Sequence, residues 1–293
     1  EASPIAAKLA ASLGLNLSNV TGSGPRGRIL QADVIRAAAA VIRGQAAPSP
    51  GRPQGSPLRP ALTPSPARVV DAIPLAGIRG IVSERMATSA HTTARVTLFR
   101  EVDTTALIDL RERFKTQGIE VSYNDFLVRI CASALREHPD ANARMGDGQI
   151  ERLDRVHLGL AVDTDRGLLV PVIRDADALT IPQIAAESTR LIEAARSGRS
   201  LPDDLTGGTF TITNLGMFGV DGFTPVINLP ECCVLGVGRI VRKPAVIDED
   251  DTVAVRPMLT LSLVFDHRVI DGASAARFLD RTAQLIQNPL LLL

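Results

Sequence analysis

Four histidines occur among the 293 residues, His91, His138, His157 and His267, and the last stands in a setting suited to chemistry. It follows the apolar run "TLSLVF" and precedes a turn closed by Gly272. An apolar strand that ends in Asp266-His267-Arg268 delivers an ionisable imidazole to a sheet edge, where clefts form. Histidine exchanges protons near neutral pH, which fits it for general acid–base work. Asp271, four residues on, is near enough to orient the imidazole or the turn. The other three histidines read as surface or satisfied core residues.

A second stretch invites a chemical reading. Gly22-Ser-Gly-Pro-Arg-Gly27 has the G-x-G-x-x-G spacing of dinucleotide-binding loops. Such a loop must follow a buried strand and open a helix. Upstream, however, Ile5, Leu9 and Leu13 repeat with a helical period, and no acidic residue stands where a ribose would be held. The stretch reads as a glycine-rich turn between short helices. Cys232-Cys233 sits in an apolar run, where cysteine acts as a small hydrophobe. Asp248 to Asp251 reads as a solvated hairpin tip without calcium-loop spacing.

The elements that must position these residues fall into three parts. Residues 1–42 form a small helical module, with Ser3-Pro4 as a helix start, Gly14 as a stop and a second helix from about Gln31. Residues 43–72 form a linker, in which Pro48, Pro50, Pro53, Pro57, Pro60, Pro64 and Pro66 favour extended chain. Residues 73–293 have the composition of one α/β domain. Strands are expected at 94–103, within 156–173 as a pair, and in "GTFTITNLG", "CCVLGVGRI" and "PMLTLSLVF". Helices are expected at 124–139, from Thr180 to Gly198, and over "ASAARFLDRTAQLIQ".

Formal charge is zero, which gives no reason to expect nucleic acid or an anionic membrane as the main partner. No run approaches the ~18 apolar residues of a membrane span. Three cysteines build no disulfide framework and fit a reducing compartment. The start at Glu1 suggests a fragment of a longer chain.

The segment "FDHRVIDGASAARF" resembles the signature of the dihydrolipoamide acyltransferases, the cores of 2-oxo acid dehydrogenase complexes, shared as H-x-x-x-D-G with chloramphenicol acetyltransferase. The resemblance continues through "IPLAGIRGIVSERM", "FREVD", "YNDFLVRICASALREHP", "AVDTDRGLLVPVIRDAD", "GGTFTITNLGMFGVDGFTPVINLPE" and the terminal "NPLLLL". It implies a chloramphenicol-acetyltransferase-like α/β fold, a mixed sheet with flanking helices, behind a small all-helical subunit-binding domain. It also implies acyl transfer between dihydrolipoamide and coenzyme A. By resemblance His267 is the general base, Thr213 in "FTITNLG" donates to the oxyanion, and Asp271 organises the loop through a charge pair. From spacing alone Thr213 would be a strand residue filling a pleat. The family builds homotrimers with the site at the subunit interface, His267 from one copy and Thr213 from its neighbour, and assembles trimers into larger cores. "NPLLLL" is expected to pack in that assembly. The lipoyl group is expected on a domain outside this chain.

The amino-terminal module, with "VTGSGPRGRILQADV", resembles the family's peripheral subunit-binding domain, which grips the first (E1) or third (E3) enzyme of the complex with cations. Arg28, Arg26 and Lys8 are the residues placed for that role. Ala7, Ala11 and Pro25 stand where members often carry a base. Arg79, Arg85, Arg174 and Lys243 are cations that could meet coenzyme A phosphates. A catalytically silent scaffold and a free-standing small-molecule acyltransferase are the competing readings. The expected location is the cytoplasm of a bacterium or an organelle matrix in a eukaryote.

Overall fold

The computed structural model describes residues 2–42, 67–165 and 167–292. The chain divides into two compact units, Glu1–Val70 and Asp71–Leu293. The linker expected over 43–72 lies for the most part outside the described residues.

In the first unit, α1 (Pro4–Ser12) starts where Ser3 accepts the Ala6 N–H and Pro4 fills the first turn. Helix α2 (Gln31–Ile42) packs back on it. Ala6, Ala10 and Val34 are buried, with Leu9, Leu15, Leu17 and Ile29 against them. The glycine-rich stretch is the connection between the helices. A Cβ on Gly22 would lie 2.4 Å from the Gly27 carbonyl oxygen, so this crossing of two backbone segments needs glycine. Asp33 takes the donors of the loop. Its carboxylate accepts from the Ser23 N–H at 2.9 Å, the Leu30 N–H at 3.0 Å and the Ser23 hydroxyl at 2.7 Å. These bonds hold its pKa down at about 2. The loop serves its own fold.

The second unit is built on a six-stranded mixed sheet, in the order β1-β10-β9-β8-β4-β7. The strands are β1 (Arg95–Asp103), β4 (Leu158–Leu160), β7 (Val172–Ile173), β8 (Phe210–Asn214), β9 (Cys233–Val246) and β10 (Val253–Asp266). Strand β8 runs parallel to both β4 and β9, and the other neighbours are antiparallel. Two separate hairpins, β2 (Ala143–Met145) with β3 (Ile150–Arg152) and β5 (Val162–Thr164) with β6 (Gly167–Leu169), stand outside it. The region 156–173, read from sequence as two strands, is thus four short ones.

Helices α5 (Tyr123–Glu137), α6 (Ile181–Ser197) and α7 (Gly272–Gln287) supply the apolar layer. Ser122 and Asp125 form a reciprocal cap that starts α5, and Gly198 in the left-handed conformation ends α6. Phe210, Ile212, Leu235, Val237, Leu261 and Leu263 of the central strands belong to the main core, and Phe210 meets Phe278 of α7 edge-on at 5.5 Å. Two helices escaped the sequence reading, α3 (Gly77–Thr92) and α4 (Thr105–Thr116). Helix α3 carries glycine at both 77 and 80 and has little apolar periodicity, while α4 buries only Leu107 and Leu110.

Strand alternation sends the intervening residues to the opposite face of the sheet. That face carries Thr211 and Thr213 on β8, Val234 and Gly236 on β9, and Ser262 and Val264 on β10. Chain between Gly219 and Glu231 crosses it, with Ile227 buried against Val234 and Val264. The terminal Pro289–Leu292 turn buries Pro289 and Leu292 and leaves Leu290 and Leu291 exposed.

Candidate active site

His267 follows the last residue of β10, and its N–H reaches the Ala94 carbonyl at 2.9 Å, extending the β1–β10 ladder by one bond. The turn beneath it is organised by Asp266. This residue is buried, and its carboxylate accepts from the Ala94 N–H and the Arg268 N–H, both at 3.1 Å. The Arg268 guanidinium closes a two-pronged bond on the same carboxylate, Nη2 to Oδ2 at 2.6 Å and Nε to Oδ1 at 3.0 Å. Burial pulls the Asp266 pKa upward, but the Arg268 guanidinium and the two N–H donors outweigh it and hold the group below the usual carboxylate range. The Asp266 carbonyl also accepts the N–H groups of Val269 and Ile270, so both ends of one residue shape the turn.

The imidazole is exposed and takes no hydrogen bond among the described residues. It lies 5.7 Å from the Phe265 ring, centroid to centroid, and its Nε2 is 3.8 Å from where a Gly272 Cβ would stand. A side chain at 272 would stand in van der Waals contact with the ring. Asp271 is the residue at the start of α7, and its carbonyl accepts the Ala275 N–H. Its side chain is exposed and makes no capping bond. Among the described residues the charge pair at this turn is Asp266 with Arg268, not one formed by Asp271. Asp271 instead borders a cleft of about 480 Å³ with Asp140, Arg152 and Ser274.

Thr213 is half-buried on the other side of the sheet's centre line. It pairs with Gly236, which pairs with Ser262. His267 stands five residues beyond Ser262, about 17 Å along the strand at ~3.3 Å per residue, and two strand spacings, about 10 Å, across. Within one chain, therefore, the two cannot touch. His267 and Asp271 are brought to one turn, and Thr213 is not brought to them.

Of the cations noted in the sequence, Arg174 is committed to the carbonyls of Asp203 and Thr206, and Lys243 is bonded to Glu101. Arg79 and Arg85 are exposed on α3 with no partner among the described residues. In the first unit Lys8, Arg26 and Arg28 are all exposed, and Arg26 adopts a positive φ of 59° within the loop. His138 and His157 are structural. His138 packs edge-on to Phe278, and burial lowers its pKa, while His157 Nδ1 accepts the Asp175 N–H at 3.0 Å. All three cysteines are buried thiols, and burial raises Cys131 and Cys233.

Sequence reasoning missed Asp266 and Arg268 as the device that holds the histidine. An acid and a base two apart at a strand end was the available signal. It also missed Glu231, a carboxyl group 3% exposed that accepts the Thr211 hydroxyl at 2.6 Å and the Asn228 Nδ2 at 3.0 Å. Among the described residues no cluster of His, Cys, Asp and Glu is arranged to hold a metal ion. Among the described residues no helix is long and apolar enough to cross a membrane.

Comparison with known proteins gives a consistent set of likenesses. The family model described as 2-oxoacid dehydrogenases acyltransferase (catalytic domain) matches residues 68–293, and that of the e3 binding domain matches residues 1–35. The dihydrolipoyllysine-residue acetyltransferase component of the pyruvate dehydrogenase complex of Bacillus subtilis is 39% identical over 300 residues, covering 100% of this chain and 67% of that protein. The corresponding protein of Staphylococcus aureus is 38% identical over 309 residues, covering 100% of this chain and 70% of its own length. Among solved structures, the Azotobacter vinelandii dihydrolipoamide acetyltransferase superposes with a TM-score of 0.73 at 35% identity, covering 81% of this chain and 99% of that one. That structure addressed the roles of a serine, a histidine and an asparagine in catalysis. A structure of the cubic core of the pyruvate dehydrogenase multienzyme complex gives the same TM-score and identity.

Proposed function

Because the chain belongs to the 2-oxoacid dehydrogenase acyltransferases, we propose that its second unit transfers an acetyl group between dihydrolipoamide and coenzyme A in a pyruvate dehydrogenase complex. Residues 1–35 dock a partner enzyme of that complex, and the exposed cations Lys8, Arg26 and Arg28 give that module a basic surface that attracts acidic groups. The bacterial relatives favour the cytoplasm over an organelle matrix.

The observation that carries this reading is the turn after β10, where a buried aspartate and its arginine hold an exposed histidine whose ring is free for a substrate. His267 takes the proton of the coenzyme A thiol. Such a thiol has a pKa of about 8.5, so few thiolates exist at neutral pH, and a positioned base contributes about 10²–10⁴-fold. The thiolate forms a bond to the carbonyl carbon of acetyl-dihydrolipoamide, and the carbonyl electron pair moves to oxygen. That oxyanion accepts a hydrogen bond from the Thr213 hydroxyl, a contact of a kind worth on the order of 10²–10³ in rate. Collapse breaks the carbon–sulfur bond to dihydrolipoamide, whose sulfur recovers the proton from His267.

Because Thr213 and His267 lie far apart within the chain, the complete site needs a second copy to supply the hydroxyl. This accords with the multimeric core among the solved relatives. Asp271, exposed beside the histidine in the cleft with Asp140 and Arg152, is available to a group across that interface. The test is coenzyme A acylation with acetyl-, succinyl- and branched-chain acyl-dihydrolipoamide, comparing the native chain with His267→Ala. Preference for acetyl and a loss of about 10² or more in the variant support the reading. A folded oligomer with no turnover on any donor overturns it in favour of a scaffold.

A further inference from the structure

The chain between Gly219 and Glu231 forms a cover over the face of the sheet that carries Thr213. Its start is tied by the Arg239 N–H to the Val220 carbonyl at 2.8 Å and by an ion pair between Arg239 and Asp221. Its middle is tied by the Ser89 hydroxyl to the Ile227 carbonyl at 2.7 Å. Over Gly236, the residue paired with Thr213, it lays Pro225 and Phe223. Their atoms lie 3.2 and 3.3 Å from where a Gly236 Cβ would be. What seats its far end is Glu231.

Glu231 reaches the strand of Thr213 directly. One carboxyl oxygen meets the Thr211 hydroxyl at 2.6 Å and the other meets Asn228 Nδ2 at 3.0 Å, while Asn228 Nδ2 also approaches Thr211 Oγ1 at 3.3 Å. Thr211 lies two residues ahead of Thr213 on the same face. The fit is tight on its remaining side, since a Cβ on Gly208 would lie 2.8 Å from Glu231 Oε1. We propose that Glu231 is a positioning residue for acyl transfer: it clasps the 219–231 cover to β8 and thereby fixes the surroundings of the Thr213 hydroxyl. The inference rests on the reading of Thr213 as oxyanion donor.

The clasp works without a counter-charge. Arg144 is bridged to Glu231 through the backbone, but its guanidinium goes to Glu151 at 2.6 Å. The groups that face the carboxyl are the hydroxyl of Thr211, the amide of Asn228 and the neighbouring thiol of Cys233. Burial dominates over the two hydrogen bonds and pushes the Glu231 pKa up to about 8. At neutral pH it is an acid that holds its proton, and above that value an uncompensated charge would form beneath the cover. The clasp is then expected to loosen.

The experiment compares native chain, Glu231→Ala, Glu231→Gln and Thr213→Ala as assembled oligomers, measuring kcat and KM for coenzyme A and acetyl-dihydrolipoamide from pH 6 to 9.5. Misplacement of a catalytic group can cost up to about a hundredfold. Glu231→Ala is expected to lower kcat toward that limit with little change in either KM. Glu231→Gln is expected to recover most of that loss and to lack the fall in kcat that the native enzyme shows as pH rises through about 8. If Thr213→Ala lowers kcat while both Glu231 variants keep native kcat and the native pH profile, the clasp is wrong and the oxyanion donor stands. If Thr213→Ala leaves kcat unchanged, the oxyanion reading itself fails and takes this inference with it. A Glu231→Ala chain that does not assemble leaves the decision to Glu231→Gln, whose retention of the native alkaline fall overturns the proposal.

Discussion

Thr213 and His267 belong to one sheet and lie at opposite ends of its working region. Thr213 shares a row with Gly236 and Ser262, whereas His267 stands past the end of β10, beside Ala94. The hydrogen-bond register fixes this separation. No side-chain rotation closes about 17 Å along a strand. A reaction that uses both residues must therefore draw them from two copies of the chain.

Subunit mixing tests that directly. Oligomers of His267→Ala alone or Thr213→Ala alone should each be nearly inactive. When the two variants are unfolded together, mixed and reassembled, random pairing regenerates about a quarter of the sites with both native groups, if neighbouring copies complete each site. Activity of the mixture that never exceeds that of the separate variants would show that the residues do not meet across an interface.

The Asp266–Arg268 fork should govern the histidine through the backbone. Asp266→Ala leaves the Ala94 and Arg268 N–H groups without their acceptor, at a cost on the order of 2–4 kcal/mol, and frees the turn that carries His267. Thermal unfolding should shift down and kcat should fall more than KM rises. The folded pKa of Asp266 is lowered, so its ionised form stabilises the fold fully above the usual carboxylate value of 3.8, and that contribution is lost as pH falls through the folded value. Acid unfolding of Asp266→Asn should lose this component. A variant with native melting temperature and native kcat would show the fork to be ornamental.

Much of this architecture is legible from residue pattern, and what is not has a physical reason. Strand β1 and helices α5, α6 and α7 fall within a residue or two of their expected bounds, because each has a clear apolar period or a capping pair such as Ser122 with Asp125. Helix α3 has glycines at 77 and 80 and little apolar stripe, so periodicity had nothing to detect. Strands β4 to β7 divide between two sheets, a distinction made by long-range pairing rather than local preference. The site follows the same rule. His267 is visible because its motif is local, whereas the distance to Thr213 depends on register between strands far apart in sequence. Asp266 looks like one more charge until Ala94, 172 residues away, donates to it.

In the first unit, Asp33 should decide whether the glycine-rich loop keeps its shape. Its folded pKa of about 2 lies below the usual 3.8, so ionised Asp33 stabilises the unit fully above the usual value and ceases to do so as pH falls toward about 2. Asp33→Ala should expose the Ser23 and Leu30 N–H groups to rapid hydrogen exchange in the intact chain and weaken partner docking. Unchanged protection over residues 20–35 would mean that the loop is held by something else.

Gly236 should tolerate no side chain, although nothing about its φ demands glycine. A Cβ there would come within 2.3 Å of Ser262 Oγ, a buried hydroxyl with no partner among the described residues, and within 3.2 Å of Pro225. The hydroxyl can rotate, but Pro225 and Phe223 belong to the cover that Glu231 clasps, so the added methyl must lift the cover or displace β9. Overpacking of this kind costs about 1–3 kcal/mol. Gly236→Ala is therefore expected to lower the melting temperature and to reduce kcat, because the same row carries Thr213. Adding Ser262→Gly removes the shortest contact and should return part of the stability. If it returns the stability but not kcat, the cover rather than the strand sets the geometry around Thr213, the proposed oxyanion donor. A Gly236→Ala chain with native melting temperature and native kcat would mean that the space above Gly236 is not the tight one described.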